Sequence, residues 1–128
     1  MSKLLLTRSA MNNLMAVATF PNIPAENLPR FKEVASEMLK SILDQKSILR
    51  YEIFFNVEGT KCVVLEEYET PAGVIEHVEK HKQYLSELSE LGGKIEGSMF
   101  PLSDHGEEIH NIKTNWDSRM HIHFASKR

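Results

Sequence analysis

Two spacings of hydrophobic residues organise this chain, and they meet between Val63 and Leu91. Val63, Val64 and Leu65 form a β-branched, apolar run followed by Glu66, Glu67 and Tyr68, which predicts a strand. Thr70 then stands where it can cap a helix, and Pro71 suits a first helical position, where no N–H is needed. From there Val74, Val78, His81, Leu85 and Leu88 recur at steps of four and three. That is one face of a single long helix, closed by Gly92-Gly93. His77 lies at the edge of the same face, one turn before His81.

The same two periods divide the rest. Leu14 to Phe20 (LMAVATF) has strand length, and PNIPAENLP breaks it with three prolines. Asn27 is a candidate N-cap for a helix in which Val34, Ala35, Met38, Leu39 and Ile42 line one stripe, ending near Gln45. Ile48 to Val57 alternates, with Tyr51, Ile53, Phe55 and Val57 on one side. Glu58-Gly59-Thr60 is a hairpin turn, and Lys61 to Tyr68 is the returning strand. Lys94 to Leu102 reads as a fourth strand, weakened by Gly97 and closed by Pro101. Ser103 to Ser118 is polar and loop-like. Arg119 to Ala125 alternates again, with Met120, Ile122 and Phe124 opposite His121 and His123.

The order β-α-β-β-α-β plus a terminal strand predicts an α+β, ferredoxin-like split βαβ fold, with both helices on one face of an antiparallel sheet. Residues 1–13 would be an arm, 14–102 the domain and 103–128 a carboxy-terminal extension. Apolar residues on both sides of the strands leave the second sheet face needing a cover. A homodimer is expected, with RMHIHFA a candidate to cross to the partner subunit.

Composition narrows the partners. At 128 residues the chain is one domain, and its net charge of −3 speaks against nucleic acid or an anionic membrane. No apolar run reaches transmembrane length, and MSKLLLTRSA does not read as a signal peptide. The lone Cys62 excludes an internal disulfide and fits a reducing compartment, so the cytoplasm is the expected location.

ILRYEIFF, a hairpin and VVLEEYETPAGVIEHVEKHKQYLSEL together resemble the antibiotic biosynthesis monooxygenase (ABM) family of dimeric α+β barrels. In that family a tyrosine-glutamate strand precedes a glutamate-aromatic strand end and a helix with two histidines a turn apart. Tyr51-Glu52, Glu67-Tyr68, His77 and His81 stand in those places, and the resemblance spans roughly Leu14 to Leu102. Tyr68 replaces a usual tryptophan, and Gln45-Lys46-Ser47-Ile48 replaces a Pro-Gly-Cys-like turn. Haem-degrading members use a strand-one asparagine where this chain has Ala18 or Thr19, which argues against haem.

The resemblance implies a pocket between sheet and helices that takes a small phenolic or quinol-like substrate without a cofactor. His77, His81 and Glu67 are its expected catalytic groups, and Tyr51 and Tyr68 its expected substrate-binding groups. Read by themselves, the residues keep plainer alternatives open. An i, i+4 histidine pair can hold a metal only with a third ligand, which Glu66, Glu67, His121 or His123 would have to supply, and no metal is expected. Either histidine also serves as a core-edge hydrogen bonder, and either tyrosine as a strand aromatic. Glu66 and Glu67 alternate, so one of them points inward. Cys62 reads as a small buried residue, and His105 and His110 carry no assignment. A small-ligand-binding or stress-associated dimer, or an isomerase of a small hydroxy-ketone, would use the same scaffold.

Overall fold

The computed structural model describes residues 13–102 and 118–127. The expected arm, except Asn13, lies outside them, as do His105, His110 and most of the polar segment. Among the described residues five strands form one sheet: β1 (Leu14–Phe20), β2 (Ile48–Phe55), β3 (Cys62–Tyr68), β4 (Glu96–Pro101) and β5 (Arg119–Met120). Their order is β2-β3-β1-β4-β5, antiparallel except for the β4–β5 pair. Helices α1 (Leu28–Ile42), α2 (Pro71–Lys80) and α3 (Lys82–Gly92) complete the α+β, ferredoxin-like arrangement.

Period-two patterning sets which face each strand buries. Leu14, Ala16 and Phe20 of β1 and Cys62, Val64, Glu66 and Tyr68 of β3 point toward the helices. One apolar cluster joins Phe20, Phe31, Val34, Met38, Val64 and Leu88 under α1 and α3. A second joins Leu14, Ala16, Tyr68, Val74 and Met99 at the opposite end of the sheet. Helices α1 and α3 are tied by a two-pronged Arg30–Glu87 ion pair and by Asn27 Nδ2, which donates to the Leu91 carbonyl.

Several boundaries differ from the sequence reading, each for a local reason. The single helix expected over 71–91 breaks at His81, whose φ of −112° and ψ of 22° leave the helical region. Its ring Nδ1 bonds the His77 carbonyl one turn back, which also accepts the His81 backbone N–H. Asn27 makes no side-chain cap, because a short 3₁₀ turn (Ala25–Asn27) precedes α1 and its amide is committed to Leu91. Thr70 occupies the cap position in extended geometry but makes no side-chain bond. The strand before the hairpin ends two residues early, at Phe55, since Asn56 Oδ1 accepts from the Thr60 and Lys61 amides, and Val57 is therefore fully exposed. The terminal strand is two residues long rather than seven, and Ile122 and Phe124 beyond it are 96% and 98% exposed.

The sheet face away from the helices carries Met15, Phe54 and Leu65, all exposed. Among the described residues no helix is long and apolar enough to cross a membrane.

Candidate active site

Between the sheet and helices α2 and α3 lies a cavity of about 380 Å³, walled by Ala16, Ala18, Tyr68, Val74, His77, Leu85, Met99 and, from β3, Glu66. Most of its wall is apolar, so the polar groups it does contain are chemically conspicuous. Ala16 and Ala18 leave room in the sheet floor where larger residues would fill it. Gly73 lets α2 start close to the aromatic wall, because a Cβ there would lie 3.2 Å from Tyr68 Cδ1 and 3.1 Å from Ser47 Cβ.

Glu66 is the inward carboxyl. It is 9% exposed and accepts a short hydrogen bond from the Tyr68 hydroxyl, two residues along the same strand face. Burial raises it to about 7, although the Tyr68 bond pulls in the other direction. Tyr68 and Tyr51 are held well above the ordinary phenol range, mainly by burial and secondarily by the nearby Glu66 charge. Both stay protonated, and Tyr68 donates to Glu66.

His77 and His81 form one connected unit. A carbonyl only accepts, so the bond of 3.0 Å between His81 Nδ1 and the His77 oxygen places a hydrogen on His81 Nδ1. His77 Nδ1, 3.0 Å from that same nitrogen, is then an acceptor. Its ring hydrogen sits on Nε2, 3.3 Å from the Tyr51 hydroxyl. His81 Nε2 accepts from the Ser41 hydroxyl at 3.0 Å. Burial, then the His81 charge, lowers His77 to about 3, and burial also lowers His81. Both rings are neutral at physiological pH.

The structure brings together four of the five residues the sequence singled out and separates the fifth. His77 and Tyr68 line the cavity, while His81 and Tyr51 stand behind His77 and bond to it. Glu67, the expected catalytic carboxylate, is on the opposite sheet face and accepts from Asn13 Nδ2 at 3.1 Å. Strand alternation requires this, because Glu67 cannot share a face with its neighbour Tyr68. Glu66 takes the inward place. No group of three His, Cys, Asp or Glu side chains among the described residues is arranged to hold a metal. His121 stacks on Phe100, with ring centroids 4.4 Å apart, and bonds the Met99 carbonyl, whereas His123 pairs with Ser126. Cys62 is buried, and burial pushes its thiol up to about 12, as a core residue requires.

Sequence reasoning did not pick out Ser41, or Lys82, Ser86 and Ser89 at the cavity edge. The i, i+4, i+7 spacing of the last three was a readable signal, since it puts them on one stripe of a helix. Nothing local to Ser41 marks it.

No family model and no curated protein matches the chain. Solved structures do. MupZ from Pseudomonas fluorescens superposes with a TM-score of 0.76 at 18% identity, covering 91% of this chain and 94% of MupZ. A protein provisionally named an antibiotic biosynthesis monooxygenase, from Nitrosomonas europaea, gives 0.63 at 14% identity, with 70% and 89% covered. SnoaB, a cofactor-independent oxygenase from Streptomyces nogalater, gives 0.60 at 12%, with 73% and 94% covered. The fold is that of the ABM proteins.

Proposed function

We propose that the protein is an ABM-type oxygenase that needs no cofactor and acts on a small phenolic or quinol-like substrate. The observation that carries this reading is the buried Glu66–Tyr68 pair facing an apolar cavity, on the fold that SnoaB also has. Glu66, rather than Glu67, is the base that takes the phenolic proton, and a carboxyl raised to about 7 is matched to that transfer at neutral pH. The electron-rich anion then passes an electron to O₂ inside a water-poor site. Tyr68 donates its hydroxyl hydrogen to Glu66 and so orients that carboxyl, and His77 shapes the wall as a neutral ring held by Tyr51 and His81. Oxygen uptake with a panel of quinols tests this. Uptake that persists under chelation and collapses in Glu66→Gln is the expected result, and equal uptake by that variant overturns the assignment.

A second reading has its own support. A carboxyl near 7 returns a proton as readily as it takes one, which suits isomerisation of a small hydroxy-ketone. Proton exchange at the α-carbon without oxygen uptake would select it.

The working unit in this proposal is a homodimer. Met15, Phe54 (49% exposed) and Leu65 give the outer sheet face an apolar surface that a second copy would cover, with the extension bearing Ile122 and Phe124 crossing over. Light scattering on the wild type and Phe54→Glu checks this. A monomeric wild type sinks it.

A further inference from the structure

The cavity has a buried end and an open end with different chemistry. Glu66, Tyr68 and His77 lie at the buried end, all nine-tenths or more removed from solvent. Lys82, Ser86 and Ser89 enter from successive turns of α3 at the open end, where Lys82 and Ser86 are exposed and Ser89 is half-buried. Among the described lining residues, Glu66 is the one carboxyl and Lys82 the one lysine or arginine. The described ion pairs are Arg30 with Glu33 and Glu87, and Arg50 with Glu52, so no described carboxylate pairs with Lys82. Between the two charged groups the wall is aliphatic, from Val74, Val78, Leu85 and Met99.

We propose that the cavity binds a small, largely apolar carboxylic acid, with its carboxylate at Lys82 and its reactive hydroxyl or enol at Glu66. This rests on the reading of the cavity as a substrate site. Charge fixes the orientation. A carboxylate turned inward would lose its hydration at the buried end and would repel Glu66 in the ionised form that acts as base. Turned outward, it meets an unpaired ammonium with three donors and two serine hydroxyls able to complete its shell. The lysine stem also follows the ligand without demanding bidentate geometry, so acids of somewhat different length are accommodated.

Two fluorescent probes test the proposal on the full-length protein: anilinonaphthalene sulfonate, which is apolar with one negative charge, and N-phenylnaphthylamine, its neutral relative. Lys82→Gln should weaken the anionic probe about three- to fivefold, the span expected of a solvent-facing charge pair, and leave the neutral probe unchanged. Lys82→Arg should restore binding, and high salt should abolish the difference between wild type and Lys82→Gln. Ser86→Trp, an exposed substitution at the mouth, should expel both probes. Loss of both probes in Ser86→Trp with no selective loss in Lys82→Gln overturns the anionic anchor and leaves the cavity reading standing. Retention of both probes in Ser86→Trp overturns the cavity as a ligand site, and the anchor with it.

Discussion

His81 places Nδ1 3.0 Å from the carbonyl of His77 and 3.0 Å from the Nδ1 of the same residue. One nitrogen thereby fixes the hydrogens of both rings, because the carbonyl can only accept. The consequence for chemistry is restrictive. His77 reaches the cavity with both nitrogens already engaged, so a substrate would meet its ring rather than a free base.

Imidazole nitrogen NMR checks that arrangement directly. At pH 7 His77 should carry its hydrogen on Nε2 and His81 on Nδ1. His81→Ala removes the donor that selects the His77 tautomer, and the His77 signals should then shift toward a mixture of the two forms. A δ-protonated His77 in the wild type would contradict the network.

Glu66 and Glu67 should separate in kinetics as they do in space. Glu66→Gln keeps an acceptor for Tyr68 but cannot take a proton, and should lower quinol-dependent oxygen uptake by about 10²–10⁴-fold. Glu67→Gln, on the far face beside Asn13, should change uptake by less than about twofold. Comparable losses in both would remove the basis for assigning the inward carboxyl.

Most of the fold is legible because burial on this scaffold follows simple periods. Tyr51, Ile53 and Phe55 pack against the main core as their alternation requires, and the α1 stripe is buried at Phe31, Val34, Ala35, Met38 and Ile42. The parity of β3 was equally available, since Val64, Glu66 and Tyr68 share a face. Placing Glu67 beside Tyr68 in one site contradicted it. Other features depend on partners far along the chain. The break at His81 involves its own backward bond to His77 and Ser41 forty residues upstream, so helical periodicity passes through it unmarked. The alternation of Met120, Ile122 and Phe124 is real, but pairing needs a neighbour, and β4 supplies one only through Met120 and a last bond to His121.

Gly73 is a packing glycine, and its substitution should report on the aromatic wall. A Cβ there meets Ser47 and Tyr68 Cδ1 at 3.1–3.2 Å, and Tyr68 is fully buried. Gly73→Ala should cost about 1–2 kcal/mol of stability in denaturant unfolding at constant slope, within the usual range for overpacking. An unchanged midpoint would show that α2 shifts freely against β3.

Glu66 and His77 impose opposite pH dependences on stability, and their overlap gives the sharpest solution test. Glu66 lies at about 7 in the folded protein against 4.5 ordinarily, so raising the pH from 4.5 to 7 ionises the unfolded chain first and removes stability. His77 lies at about 3 against 6.5, so lowering the pH below 6.5 protonates the unfolded chain first and also removes stability. Between about 4.5 and 6.5 the folded protein holds one proton more at Glu66 and one fewer at His77, and the two slopes cancel to first order. His81, lowered by burial, adds to the acid side. The wild type should therefore show a nearly flat unfolding midpoint from pH 5 to 6.5 and a steep loss below pH 4.5. Glu66→Gln removes one arm of the balance. It should gain stability above pH 7, by as much as ~3 kcal/mol for a shift of this size, and should lose stability steadily as the pH falls through the former plateau. A variant that keeps the wild-type plateau would show that Glu66 does not hold its proton in the folded state.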